Sequence, residues 1–326
     1  PMKYVILSPY GIRTGGPEAC YQLSDALIRL GHDAEMWLVS EGDVNAFRDA
    51  LKKKIRFAGN SLQIPERLNN VDEYKHYQSK PFTAFSPGDD VMFIMPEVYM
   101  WMMPLLLGCK VMVWWLSVDN AFRAMADINL NMLRTPLVKH AVQSDYARAF
   151  TASLGLTSTF LTDYTVISPK PTPAIQDRPL KVSVNAGKKV IFDLNALSAM
   201  LKELCPAAEI VKIAGLSREE VYDAFSTSRV FIDLGNFPGK DRMAREALLL
   251  GANIIVGNAG AGHYEVDYPL PLLYRPQAYD LGAVAQLAAQ MVQDPMGHIG
   301  QFEKARAIFG DEKANFDKEV IHTFAG

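Results

Sequence analysis

The chain has 326 residues, 49% of them apolar and 21% charged, with a formal net charge of −3. At roughly 150 residues per domain that is room for two cores, and the composition excludes a disordered polypeptide, a collagen-like repeat and a coiled coil. The near-neutral balance argues against nucleic-acid binding by bulk charge. Three scattered cysteines, Cys20, Cys109 and Cys205, argue against a disulfide framework or a zinc cluster and suit a reducing cytoplasm.

Tyr4–Ser8 reads as a buried strand and runs into a Gly-rich turn, Gly11 to Pro17, a pattern not expected of a secretory signal. Ala19, Leu23, Ala26, Leu27 and Leu30 then recur at helical spacing up to Gly31, and Glu35–Val39 resumes strand character. This β-turn-α-turn-β unit predicts a parallel sheet. Val91–Met95, Val111–Leu116 and Val138–Gln143 are further predicted strands, with a helix over Asp145–Ser153. The apolar run from Val91 to Val118 carries Pro96, Glu97, Pro104 and Lys110, which count against a membrane-spanning helix.

Four prolines between Val166 and Leu180 predict an inter-domain linker. The alternation then restarts, with strands predicted over Lys189–Asp193, Glu209–Ile213, Val230–Leu234 and Asn253–Val256. Helices are predicted over Leu194–Leu204, Arg218–Phe225, Met243–Leu250, Leu281–Gln293 and Glu312–Phe324. The expected architecture is α/β, with two Rossmann-like doubly wound parallel-sheet domains facing a cleft. Residues 1–165 form the first, 166–180 the linker and 181–310 the second, and a helix over 311–326 packs back on the first. Such sheets bind ligands beyond the carboxyl ends of their strands, so the turns there hold the candidate residues.

In the first turn, Gly15 and Gly16 permit close approach of a ligand to the backbone at a helix start, where anions are favoured. The competing reading is a tight turn with packing glycines. The turn lacks G-x-G-x-x-G and a following ribose carboxylate, which disfavours a nicotinamide cofactor. In the second half, Val230–Leu234 leads into a Gly/Pro turn with Lys240 and Arg242, and a helix with Arg245 and Glu246 ends at Gly251. Cations and free N–H groups at a helix start suit a diphosphate, and Glu246 can accept hydrogen bonds from a ribose diol. The plain alternatives are a solvated basic surface and an ordinary first-turn carboxylate. Glu97 ends a strand in very apolar surroundings, either as a functional carboxylate or as an acceptor of a salt bridge or peptide N–H. The following run with Trp101 suits either a lipid-linked acceptor and membrane contact or a core helix.

Several motifs together resemble the retaining "group 1" glycosyltransferases of the GT-B fold. Ser228-Arg-Val-Phe-Ile-Asp233, then Arg245-Glu246-Ala247 through Gly251, then Gly260-Ala261-Gly262 match that family's carboxyl-terminal domain. Gly15-Gly16, Gly31-His32-Asp33 and Val142-Gln143-Ser144-Asp145-Tyr146 match its amino-terminal domain. The resemblance implies a metal-independent transferase with no cofactor, using a nucleotide-diphosphate sugar as co-substrate and a glycan or lipid-linked saccharide as acceptor. It implies a cytoplasmic role, at the inner face of the membrane, in bacterial surface polysaccharide synthesis. Donor binding falls to Gly15, Gly16, Lys188, Lys240, Arg242, Glu246, Gly260, Ala261 and Gly262, acceptor binding to Glu97 and Trp101, and catalysis to Asp119 and His263. No metal ligands are expected.

The chain departs from the family at Pro238, where the first of two glutamates eight apart is missing, with Asp233 or Asp241 as substitutes. It also lacks the family's histidine near the reacting sugar, where Asp119 stands in a Trp-Trp-Leu-Ser-Val-Asp-Asn segment. A catalytically inactive binding subunit of a glycan-assembly complex and a two-domain nucleotide-sugar epimerase are the alternatives.

Overall fold

The protein is described by a computed structural model, which defines residues 1–55, 62–86, 88–168, 170–187 and 190–325. The chain forms two compact units, one of Pro1–Asp163 with Ala314–Gly326 and one of Tyr164–Lys313.

The first unit contains β1 (Lys3–Pro9), α1 (Gly15–Arg29), β2 (Asp33–Val39), α2 (Glu41–Lys52) and the short antiparallel pair β3 (Leu62–Gln63) and β4 (Ala84–Phe85). It continues through β5 (Val91–Pro96), β6 (Lys110–Trp115), α3 (Val118–Ala126), β7 (Val138–Val142), α4 (Asp145–Ser153) and β8 (Thr159–Phe160). Six strands make one parallel sheet in the order β2-β1-β5-β6-β7-β8. Val5, Ile6 and Leu7 are fully buried because helices cover both faces, which is why the central strands read as unbroken apolar runs. Gly31, at φ +86, ends α1 in the left-handed conformation that glycine adopts without strain. Helix α2, which the reading above does not include, turns Val44, Phe47, Ala50 and Leu51 toward the core at helical spacing, and a Ser40–Asp43 capping box starts it.

Between β5 and β6 the chain makes a 3-10 helix over Glu97–Leu106, and Met100, Trp101, Met102 and Met103 enter the first unit's core. Of the two readings of this run, the core helix is the one observed. Burying each such side chain contributes about 1.5–3 kcal/mol, which outweighs keeping it exposed for contact. No helix among the described residues is long and apolar enough to cross a membrane.

The second unit contains β9 (Lys181–Asn185), α5 (Leu194–Leu204), β10 (Glu209–Ile213), α6 (Arg218–Thr227), β11 (Val230–Asp233), α7 (Arg242–Leu249) and β12 (Asn253–Val256). It ends with α8 (Leu281–Gln293), α9 (Met296–Ile299) and α10 (Glu303–Gly310). Its four parallel strands run in the order β10-β9-β11-β12. The first strand is therefore Lys181–Asn185 and not the predicted Lys189–Asp193. Ser183 interrupts the apolar pattern of β9 yet is buried, its hydroxyl 3.5 Å from the Val230 carbonyl. The more apolar stretch that follows carries Ile191, which is 71% exposed. The proline-rich segment belongs to this unit: Ile175 is buried, and the Arg178 guanidinium donates to the carbonyls of Pro173, Phe225, Ser228 and Leu250. Helix α11 (Glu312–Phe324) starts in the second unit and continues into the first.

Candidate functional site

The carboxyl edge of the second sheet is where the turns after β9, β11 and β12 gather. Asn185 ends β9, and its amide donates to Asp233 Oδ1 at the end of β11 at 3.0 Å. The same oxygen accepts the Gly235 N–H at 3.1 Å, so Asp233 ties two strand ends to the start of the next turn. It is 2% exposed and braces the two strand ends. Asn185 Oδ1 also accepts the Gly187 N–H at 3.1 Å. The segment Asn185–Gly187 thus leaves the carboxyl end of a strand, whereas the strand predicted over Lys189–Asp193 would place it before one. Lys188, the next residue, lies outside the described residues.

The turns after β11 and β12 pack backbone against backbone. The Ala261 N–H donates to the Phe237 carbonyl at 2.9 Å. A Cβ on Gly260 would stand 2.0 Å from that oxygen, and one on Gly262 would stand 2.1 Å from the Gly257 carbonyl. Phe237 is fully buried at φ +44, a strained conformation for a bulky residue. Its ring meets Tyr268 edge-on at 5.2 Å, and the Tyr268 hydroxyl donates to the Asp241 carbonyl. Arg275 braces the far side, donating to the carbonyls of His263 and Leu270.

Helix α7 and the turn before it carry the charged candidates. Lys240, 7% exposed, is paired with Glu312, and Arg245, fully buried, donates to both oxygens of the same carboxylate at 3.1 and 3.3 Å. Arg245 also donates to the carbonyls of Lys240 and Asp241. Lys240 is therefore part of a buried triad that fixes the turn to the start of α11, and this corrects the expectation of a diphosphate contact. Arg242 is half-buried and donates to the Tyr164 carbonyl at 2.8 Å. Glu246, 8% exposed, accepts a hydrogen bond from Tyr222 of α6, whose hydroxyl also donates to the Val166 carbonyl. Sequence reasoning missed Tyr222: it is 24 residues from Glu246, and nothing local marks the pairing. His263 is exposed, its Nδ1 2.6 Å from Asn258 Oδ1.

At the carboxyl edge of the first sheet, Gly15 and Gly16 open α1. Thr14 precedes them without a side-chain cap, and a Cβ on Gly16 would meet open space. Glu97 is 1% exposed and accepts the Leu116 N–H at 3.2 Å. Trp101 is 5% exposed beneath the Arg48 guanidinium, 4.2 Å from the ring centroid. Both are structural where acceptor contacts were expected: the peptide N–H reading of Glu97 is the one observed. Asp119 is half-buried in the first turn of α3 and accepts the Tyr146 hydroxyl at 2.7 Å. Among the described residues, no group of three or more His, Cys, Asp or Glu has metal-binding geometry.

No protein-family model matches the chain, and no curated protein does. Solved structures match over its whole length. HepE from Anabaena, in complex with UDP and glucose, superposes with a TM-score of 0.62 at 10% identity, covering 100% of both chains. A mutant of S. aureus TarM, in complex with fondaparinux, alpha-GlcNAc-glycerol and UDP, gives 0.60 at 7% identity over 99% of this chain and 97% of that one. The lipopolysaccharide outer core galactosyltransferase WaaB, without ligand, gives 0.59 at 10% identity over 99% and 100%. Likeness at such identities shows the fold, and the fold is GT-B: two Rossmann-like, doubly wound units in one chain.

Proposed function

We propose that this chain is a glycosyltransferase that moves a sugar from a nucleotide-diphosphate donor to a glycan or lipid-linked saccharide, retaining the anomeric configuration and needing no metal. The observation that carries the reading is the fold shared end to end with structures holding UDP, and UDP with glucose. The second unit takes the donor and the first takes the acceptor. Glu246 receives the ribose hydroxyls, its carboxylate held by Tyr222. Arg242 and the first N–H groups of α7 face the diphosphate. A guanidinium has five donors, enough to serve the Tyr164 carbonyl and a phosphate together. With Lys188, they neutralise charge on the departing diphosphate. Gly15 and Gly16 admit the donor close to the α1 backbone. Asp119 and His263 act at the reacting sugar. Gly260–Gly262 shape the donor turn through their backbone. The setting is surface-polysaccharide assembly in the bacterial cytoplasm. The burial of Trp101 and its neighbouring methionines removes the reason for invoking a membrane contact there.

The test is a panel of UDP-, GDP- and dTDP-sugars, read first by thermal shift and then by nucleotide release with and without saccharide acceptors. A transferase is stabilised by one nucleotide class and releases the diphosphate faster when acceptor is present. No stabilisation by any nucleotide would refute the reading. Pro238 in place of a glutamate, with Lys240 and Arg245 both paired with Glu312, favours one second reading: a binding subunit, stabilised by a nucleotide sugar but without turnover on any acceptor.

A further inference from the structure

We infer that the amino-terminal edge of the first unit's sheet carries a second binding site, for a small anionic sugar such as a sugar phosphate or a uronic acid. A hollow of about 570 Å³ opens there, between the first residues of β7 and β8, the turn after α4 and the last turn of α11. That volume is within the range of about 300–1,000 Å³ usual for small-molecule sites. Its wall carries Arg134, Lys139 and His322 and no aspartate or glutamate.

Two helices, α4 and α11, end at the hollow, and each helix end carries about half a negative charge. One is already capped, because Arg134 Nη2 donates to the Leu154 carbonyl at 2.8 Å. Two full positive charges outweigh two half charges, so the hollow keeps an excess of positive charge. Lys139 and His322 have no partner among the described residues, and the Thr323 hydroxyl oxygen is buried at the wall without one. Met112, Leu133, Val138 and Leu156 supply an apolar floor. A charged group against Lys139, hydroxyls against Thr323 and Ser158, and a ring face on apolar carbon together describe a charged sugar better than a bare ion. In a parallel sheet this edge is opposite the one that holds Gly15, Glu97 and Asp119, so the inference does not rest on the donor site.

Trp115 reports on the hollow, since its indole N–H donates to His140, which bonds in turn to the Leu133 carbonyl at the wall. Glucose 6-phosphate, glucuronate, glucose and inorganic phosphate are titrated against the full chain by calorimetry, with tryptophan fluorescence alongside. Both charged sugars should bind with Kd on the order of 1 mM or tighter, and glucose at least about tenfold more weakly. Lys139→Ala, at an exposed position that leaves the fold intact by thermal melting, should weaken the charged sugars about tenfold, while Glu246→Ala leaves them unchanged. The inference is overturned if neither charged sugar binds, or if binding survives Lys139→Ala. It is overturned too if Glu246→Ala abolishes binding, or if inorganic phosphate binds as tightly as the sugar phosphate. The nucleotide panel is read separately, so its failure would leave this result standing.

Discussion

The turn after β1 and the one after β12 are both rich in glycine and place opposite physical demands on it. Around Gly16 there is room: an added Cβ touches nothing, and the turn from Tyr10 to Thr14 is exposed. Around Gly260 there is none, because two carbonyls of the neighbouring turn stand where a Cβ would be. A glycine that keeps backbone close to backbone is fixed by the fold, whereas a glycine facing open space has no structural reason to resist substitution. If Gly16 is required, a ligand requires it; if Gly260 is required, the fold already explains it.

That contrast is open to attack at several points. The largest effect is expected from Glu312→Ala, which removes the buried carboxylate that Lys240 and Arg245 share. Breaking such a buried network costs about 3–5 kcal/mol, to be read from the midpoint of urea unfolding. Gly260→Ala should cost on the order of 3 kcal/mol through strain and carbonyl overlap; a loss under a third of that would show that the two turns are not locked together. Glu246→Ala should weaken nucleotide-sugar binding at least about tenfold, about 1.4 kcal/mol, and an unchanged dissociation constant would remove Glu246 from the site. Gly16→Ala should leave stability unchanged or raise it by about 0.5–1 kcal/mol, the helix preference of alanine. It should still weaken nucleotide-sugar binding, and unaltered binding would reduce this turn to packing.

The smallest effect concerns pH. His140 is buried, and desolvation holds its pKa below the ordinary 6.5 despite the bond to the Leu133 carbonyl. Trp115 donates to Nδ1, so the neutral ring carries its proton on Nε2 and donates it to Leu133. The unfolded chain takes up this proton near pH 6.5 and the folded chain only lower, so stability should fall as pH drops below about 6.5. Thermal melts of wild type and His140→Gln from pH 7.5 to 5 should show the shallower slope in the variant.

Most of the framework is legible in the sequence because it rests on local signals. The bounds of α4, α5, α8 and α11 follow from apolar spacing and from caps such as Ser144 and Asp193. β9 is not legible, since a hydroxyl at Ser183 is buried while Ile191 lies exposed. The site is legible only in part. Turn position and residue type pick out Glu246 and Arg242, but what Lys240 and Glu97 do is decided by partners 72 and 19 residues away. Arg178 and Arg275 show the same limit in another form: arginines whose hydrogen bonds among the described residues go to carbonyls look, as sequence, like surface.

Helix α11 has a consequence for biosynthesis. Phe316, Val320 and Phe324 are buried in the first unit, where Phe324 meets Tyr4 edge-on at 4.9 Å and Glu319 accepts the Thr162 hydroxyl. These residues leave the ribosome after all of Tyr164–Lys313, a delay on the order of ten seconds at about 5–20 residues per second. Until then the nascent first unit presents an uncovered apolar strip that includes Tyr4. The amino-terminal half of this chain is thus translated first and completed last, and a stall anywhere in the second half leaves the first in need of a chaperone.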